Sequence, residues 1–358
     1  MGSILSKAKG LFDFLTIGLI AAIALAFLAP PRGAAASFFS FLTNLTVFFL
    51  FFLHGAKLSP RNLLAGLSSF KAHATITFST FAMFPLTCLA LKPLFGLFVS
   101  PELVLGIMFL SVLPSTVQSS ITFTSIAGGN VGMAVCAASF SSLLGVFATP
   151  FLTGLVIDVP GAGPSKLSVL WDLCLLLLFP FALGQLARPR IKGFMGRHSG
   201  IIFFCDRISV IFIVFASFSH AVAEGLWNDL RISELLSLLV VLSVILALAL
   251  AFTALAGRLL GFAPADRAAI LFCGSKKSLM AGVPMAGIIF SQSLSGVVII
   301  PLMIFHQLQL VVCAQIARAL SKRNLGGTEP DDPDEPNAPN APNEPGKPEV
   351  PEDPASGE

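Results

Sequence analysis

The chain has 358 residues, 55% of them hydrophobic and 11% charged, with a mean hydropathy of +0.87. A typical soluble domain carries about 25% charged residues, so a water-soluble fold cannot hide this much apolar surface, whereas a bilayer accepts it as solvent. The formal net charge of +3 conceals an asymmetry, because residues 326–358 hold ten of the nineteen acids and one lysine, leaving the rest of the chain near +12.

A helical span needs about 20 apolar residues. Ten such stretches follow in chain order: 11–29, 37–55, 70–97, 102–126, 130–157, 166–187, 202–223, 234–259, 266–290 and 294–319. The first lacks a small-residue cleavage site and is long enough to stay in the membrane. The opening Met1-Gly2-Ser3-Ile4-Leu5-Ser6 matches a myristoylation pattern, which a protein with many spans does not need. Breakers punctuate the loops at Pro30-Pro31-Arg32-Gly33 and Pro160-Gly161-Ala162-Gly163-Pro164. From about 326 the chain is rich in Pro, Asn, Asp and Glu and is expected to form a disordered cytoplasmic tail after a membrane domain of residues 1–325.

Ten spans put both termini on one side, and positive charge selects the side. With cytoplasmic termini the inside segments hold fifteen Lys and Arg, including Lys57, Arg188, Arg190, Lys192, Arg197 and Arg207. The outside loops hold four: Arg32, Lys92, Lys166 and Arg231. A multi-pass inner-membrane protein with both termini cytoplasmic is therefore expected. The six cysteines lie singly in apolar runs without metal-type spacing and read as packing residues.

Spans 1–5 and 6–10 form halves of opposite topology that share features. Pro101-Glu102 opens span 4, and Pro114-Ser115 follows thirteen residues after Pro101. Pro264-Ala265-Asp266 opens span 9, and Lys277-Ser278 occupies the corresponding place. The fifth spans share a late proline, Pro150 and Pro301. Inverted halves with a pair of interrupted helices point to a transporter site at the midplane, where freed backbone groups face a solute instead of lipid.

Candidate site residues cluster at these interruptions. Span 4 carries Pro114, Ser115, Thr116, Gln118, Ser119, Ser120 and Thr122, and Gly128-Gly129-Asn130 turns into span 5. Single hydroxyls in membranes mostly pack helices; this density beside a proline suggests a lined cavity. Span 9 carries Ser275, Lys276, Lys277 and Ser278, about 15 Å from its cytoplasmic end at Asp266. No acid occurs between Asp266 and Glu329 to pair with the lysines. Three readings stay open: one lysine is neutral through desolvation, both cap carbonyls at the end of the first half-helix, or both attract an anionic solute. His306-Gln307-Leu308-Gln309 in span 10 is a further buried polar stretch, with His306 either structural or proton-coupling. No phosphate loop, nucleophile triad, zinc spacing or nucleic-acid motif is present, so neither an enzyme nor a nucleic-acid partner is expected.

Ala127-Gly128-Gly129-Asn130, Ser139-Phe140-Ser141-Ser142-Leu143-Leu144-Gly145, Thr149-Pro150, Phe262-Ala263-Pro264-Ala265-Asp266, Phe272-Cys273, Lys277-Ser278-Leu279 and Gly282-Val283-Pro284-Met285 are the most specific pieces of a wider similarity. Over residues 10–320 the chain resembles the bile acid:sodium symporter superfamily, in its divergent SBF-like branch. The resemblance implies an all-α membrane fold of ten helices in two inverted five-helix repeats, with broken helices 4 and 9 crossing at the centre. It implies a panel of spans 1, 2, 6 and 7, a core of spans 3–5 and 8–10, and import of a small organic anion coupled to sodium. The family's sodium ligands are a Ser-Asn pair in span 4, hydroxyls in span 5 and a Glu in span 9. Carried over, these fall on Ser119-Ser120, on Ser139 and Ser142, and on the Ser275–Ser278 stretch, where Lys276 and Lys277 stand in place of the carboxylate. A lysine there repels sodium or takes its place, which leaves sodium, a proton or no ion as the coupling species. The same resemblance admits a second reading, a non-transporting regulator of cellular calcium. One chain can house the whole site, so a monomer or weak homodimer is expected.

Overall fold

The computed structural model describes residues 14–57, 69–157, 166–227 and 231–325. They form α1 (Phe14–Leu28), α2 (Ala34–Lys57), α3 (Phe70–Phe95), α4 (Pro101–Val112), α5 (Gln118–Ile126) and α6 (Val131–Val156). Then follow α7 (Lys166–Arg197), α8 (Ser199–Ala223), α9 (Ile232–Leu259), α10 (Pro264–Gly274), α11 (Leu279–Ile289) and α12 (Gln292–Leu325). No strand occurs among the described residues. Helices α2, α3, α6, α8, α9 and α12 are long and apolar enough to cross a membrane; α1 and α4 are shorter apolar helices. Many large apolar side chains on the outer helices are exposed, among them Leu28 at 82% and Leu259 at 76%, which only a lipid surrounding tolerates.

Helices α4 and α10 start alike. Each has a proline in its first turn, where the missing N–H is no loss, and an acid, Glu102 or Asp266, that complements the dipole. Each then breaks, for different reasons. Pro114 disfavours a helical conformation at the residue before it, and Leu113 is extended at φ −74° and ψ 153°. No proline lies in the second break. There the Gln309 side chain accepts from the Lys277 N–H at 2.9 Å and donates to the Lys277 carbonyl at 2.8 Å, replacing the helical partners. The two breaks touch, since the Ser278 N–H donates to the Pro114 carbonyl at 2.9 Å.

Around this centre α2 packs on α7, α1 on α8, and α4 on α12. Small residues set the closest approach: a Cβ at Gly55 would strike the Phe181 carbonyl, and one at Gly184 the Phe52 carbonyl.

Several boundaries differ from expectation. α7 runs to Arg197 instead of 187, through Pro189, where water outside the hydrocarbon can replace a lost helical bond. α12 likewise continues to Leu325. α3 contains a π-helical turn at Ser79–Met83 that the sequence reading did not anticipate. The Pro160–Pro164 turn, the N-terminal lysines, Arg61 and the acidic tail lie outside the described residues.

Candidate functional site

Lys277 is fully buried and its ammonium points away from any solvent. It donates to the carbonyls of Thr80 at 2.6 Å, Ser111 at 2.7 Å and Leu113 at 2.8 Å. Prolines explain why these carbonyls are available. In the π-turn the Phe84 N–H bonds the Ser79 carbonyl, and Pro85 has no N–H to offer Thr80. At the first break Pro114 ends α4, and the Ser115 N–H turns to Ser141 Oγ at 3.0 Å instead of to the Ser111 carbonyl. One ammonium thus collects three carbonyls that the backbone cannot satisfy, with the Phe84 ring centroid 4.2 Å away. The carbonyls it caps belong to α3 and α4, not to the end of its own half-helix α10.

Lys276 takes a different environment. Its ammonium donates to Ser119 Oγ at 3.3 Å and lies 4.5 Å from the Phe123 ring centroid and 5.7 Å from that of Phe272. Ser119 is also 2.7 Å from Thr116, and Ser120 donates to the Phe272 carbonyl at 3.0 Å.

Next to Ser119 a cavity of about 510 Å³ opens, within the size range of small-molecule sites, about 300–1,000 Å³. Gln118 and Ser119 from the first turn of α5, and Leu279 and Met280 from the first turn of α11, line it. The positive ends of two helix dipoles therefore meet at one space. Thr116, Ser139, Ser142, Ser278 and His306 add polar atoms, while Leu15, Phe51, Phe181 and Met285 make apolar walls. At the end formed by the α2 C-terminus the lining includes His54, Lys57, Asp206 and Arg207. Lys57 and Asp206 form an ion pair at 2.6 Å, and Arg207 lines the cavity beside them. Its guanidinium stacks 3.5 Å from the Phe203 ring centroid and donates to Gln118 Oε1 at 3.4 Å.

Toward the other end of α2 the helices are tied to one another. Ser40 Oγ lies 2.7 Å from Gln292 Oε1 and 3.0 Å from His220 Nε2, tying α2, α8 and α12 together. Ser295 Oγ donates to Ser217 Oγ at 3.0 Å, and a Cβ at Gly296 would strike the Ser217 carbonyl. Ser40 and Lys57 are separated along α2 by about 25 Å, close to the thickness of the hydrocarbon layer.

A lined cavity lies between the two broken helices, and comparison with known proteins places the chain in a family. The SBF-like CPA transporter family model matches residues 13–322. The chain belongs to the SBF-like CPA transporter family. It is 46% identical over 319 residues to an uncharacterised protein of Pseudomonas aeruginosa, covering 89% of this chain and 96% of that one. It is 44% identical over 317 residues to YfeH of Escherichia coli, which carries the name of a symporter, covering 88% and 95%. Sodium/bile acid cotransporter 7 of Xenopus tropicalis is 29% identical over 320 residues, covering 84% and 89%. The chain is thus a multi-pass membrane protein of a secondary-transporter family.

Within this SBF-like member the structure separates the residues singled out in the sequence. Thr116, Gln118, Ser119, Ser139, Ser142, Ser278 and His306 share the cavity. The others do not line it. Asn130 caps the N-terminus of α6 through the Met133 N–H and donates to Asp266 Oδ1 at 2.8 Å, at the far end of both half-helices. Ser275 bonds the Leu271 carbonyl, Gln307 donates to Thr16 Oγ1, and Ser115 is buried behind the break. Ser120 and the two lysines lie behind the lining. Sequence reasoning missed Arg207, His54, Thr80 and the Ser40–His220–Gln292 contacts, and it marked Gln309 as buried and polar without its role at the second break. Arg207 had a signal, an arginine inside the apolar run that starts near 202, but it was read as topology alone.

The residues do not fit an exchangeable sodium at the family's position. A cation at Ser119 would face the Lys276 ammonium, 3.3 Å from Ser119 Oγ.

Proposed function

We propose that this protein carries a small organic anion across the inner membrane by alternating access. The observation that carries the reading is the convergence of two helix N-termini and Arg207 on one cavity. Arginine's planar fork suits a carboxylate or sulfonate, and helix N-termini favour negative charge. The conformation described has its cavity open at the Lys57 end, with the helices tied to one another toward the Ser40 end. The name of the Xenopus tropicalis relative, a sodium/bile acid cotransporter, favours the same class of cargo.

In this reading the protein has ten spans in two inverted five-helix repeats. Paired breaks at 113–117 and 275–278, each after a Pro-plus-acid start, support it. Spans 1, 2, 6 and 7, here α1, α2, α7 and α8, form a panel that rocks against the remaining helices. Both termini are cytoplasmic, because the excess of Lys and Arg then lies inside. One chain contains the whole cavity, so a monomer suffices. Sodium does not drive the cycle, because the Lys277 ammonium stands where a cation could otherwise gather carbonyls; a proton or the solute gradient alone does.

The test is uptake of labelled cholate, or of other organic anions, into proteoliposomes. Arg207→Gln should weaken the apparent affinity of uptake roughly tenfold or more while leaving the protein folded; unchanged uptake would place the anion elsewhere. Coupling is tested by the melting temperature of the detergent-purified protein as potassium is exchanged for sodium at constant ionic strength. No change is expected; a saturable sodium-specific rise would restore sodium coupling.

A further inference from the structure

A second cationic pocket lies where α2, α7 and the start of α8 meet. Its volume is about 430 Å³, and Arg188, Lys192 and Lys57 line it together with the apolar Met195, Ile202 and Phe203. Arg188 and Lys192 are four residues apart on α7, the spacing that puts two side chains on one helix face. Among the described residues no carboxylate forms an ion pair with either of them.

Depth tells what this pocket faces. α7 has 32 residues and rises about 48 Å, well beyond a hydrocarbon layer of about 30 Å. The stretch Lys166–Ala187 is the apolar part, and Arg188, Arg190, Lys192 and Arg197 all follow it. The pocket therefore sits at the headgroup level of one leaflet. Elsewhere on the same two helices Leu186 and Ile201 are exposed at 71% and 61%, as in a segment that meets acyl chains.

We propose that this pocket binds the headgroup phosphate of an anionic phospholipid, with Arg188 and Lys192 as its ligands. Arg188 supplies a fork that matches two phosphate oxygens, and Lys192 a point charge on the third side. Basic pockets between helices on the cytoplasmic side are suited to such lipids. Lys57 lines this pocket as well as the central cavity, and its ammonium is held at 2.6 Å by Asp206. A bound phosphate thus lies one side chain from the cavity mouth and competes with Asp206 for Lys57. The site stands on the membrane embedding alone and is independent of which solute is carried.

The test is the melting temperature of the full-length protein in neutral detergent, titrated with dioleoyl phosphatidylglycerol, dioleoyl phosphatidylcholine or inorganic phosphate. Phosphatidylglycerol should give a saturable rise of about 3 °C or more, and the other two none. The double variant Arg188→Gln/Lys192→Gln should keep the lipid-free melting temperature and lose the rise, and Lys192→Gln alone should weaken it. A control pair on α12, Arg318→Gln/Arg323→Gln, should retain it. An equal rise with inorganic phosphate would make this a soluble-anion site and overturn the lipid assignment. An equal rise with phosphatidylcholine, a rise that survives the double variant, or one lost equally in the control pair would overturn the site itself.

Discussion

The two helix breaks meet at one hydrogen bond, yet they are built from opposite chemistry. The first, at 113–117, is made by a proline and continues into hydroxyls and an amide that line the cavity. The second, at 275–278, is held open by Gln309 and buries two lysines away from the cavity. The difference teaches where charge acts in this protein. The deepest ammonium, Lys277, holds α3, α4 and the second break together, whereas the cation that faces the cavity, Arg207, stands near its mouth on α8. A buried ammonium with three carbonyl partners is structural, whereas the Arg207 guanidinium lines the cavity.

The sharpest way to break that comparison is Lys277→Met. It leaves three buried carbonyls without a donor, at a cost on the order of 3–5 kcal/mol. The expected outcome is a large fall in melting temperature or loss of the monodisperse protein on gel filtration. A fall no greater than that of Lys276→Met would mean the two lysines are equivalent. Gln309→Leu keeps the volume but strands the Lys277 N–H and carbonyl. About 2–3 kcal/mol of stability should be lost, read as a smaller fall in melting temperature.

Arg207→Gln should act on the other axis. A charged hydrogen bond to a solute is worth about 1.5–3 kcal/mol, so affinity for the anion should drop roughly tenfold or more with the melting temperature unchanged. A stability loss without a transport loss would make Arg207 structural. Lys276→Met should be the mildest, because the side chain gives up one long hydrogen bond and two ring contacts, about 1 kcal/mol. A Lys276 effect on anion affinity as large as that of Arg207→Gln would show that its charge reaches the cavity through Ser119.

Much of this was legible in the sequence. Apolar runs located the helices, and Pro114 with the Lys276-Lys277 pair marked both breaks, because interruptions are written into local residue chemistry. The π-turn was less visible. Pro85 carries it, but a proline early in a helix segment has several outcomes, and only the ammonium of Lys277 shows which carbonyl needed a partner.

By itself the sequence determined that the chain lives in a bilayer and that two helices are interrupted, and it set an expected depth for each polar residue. Depth follows from counting residues along an axis at about 1.5 Å each. The tertiary structure alone decided the rotation of each helix about that axis and the identity of its neighbours. That is why adjacent lysines diverge, one toward Ser119 and one toward three carbonyls. It is also why Asn130 belongs to a helix end and Arg207 to the cavity. Packing selects partners from parts of the chain 89 to 197 residues away, and no local pattern records that choice.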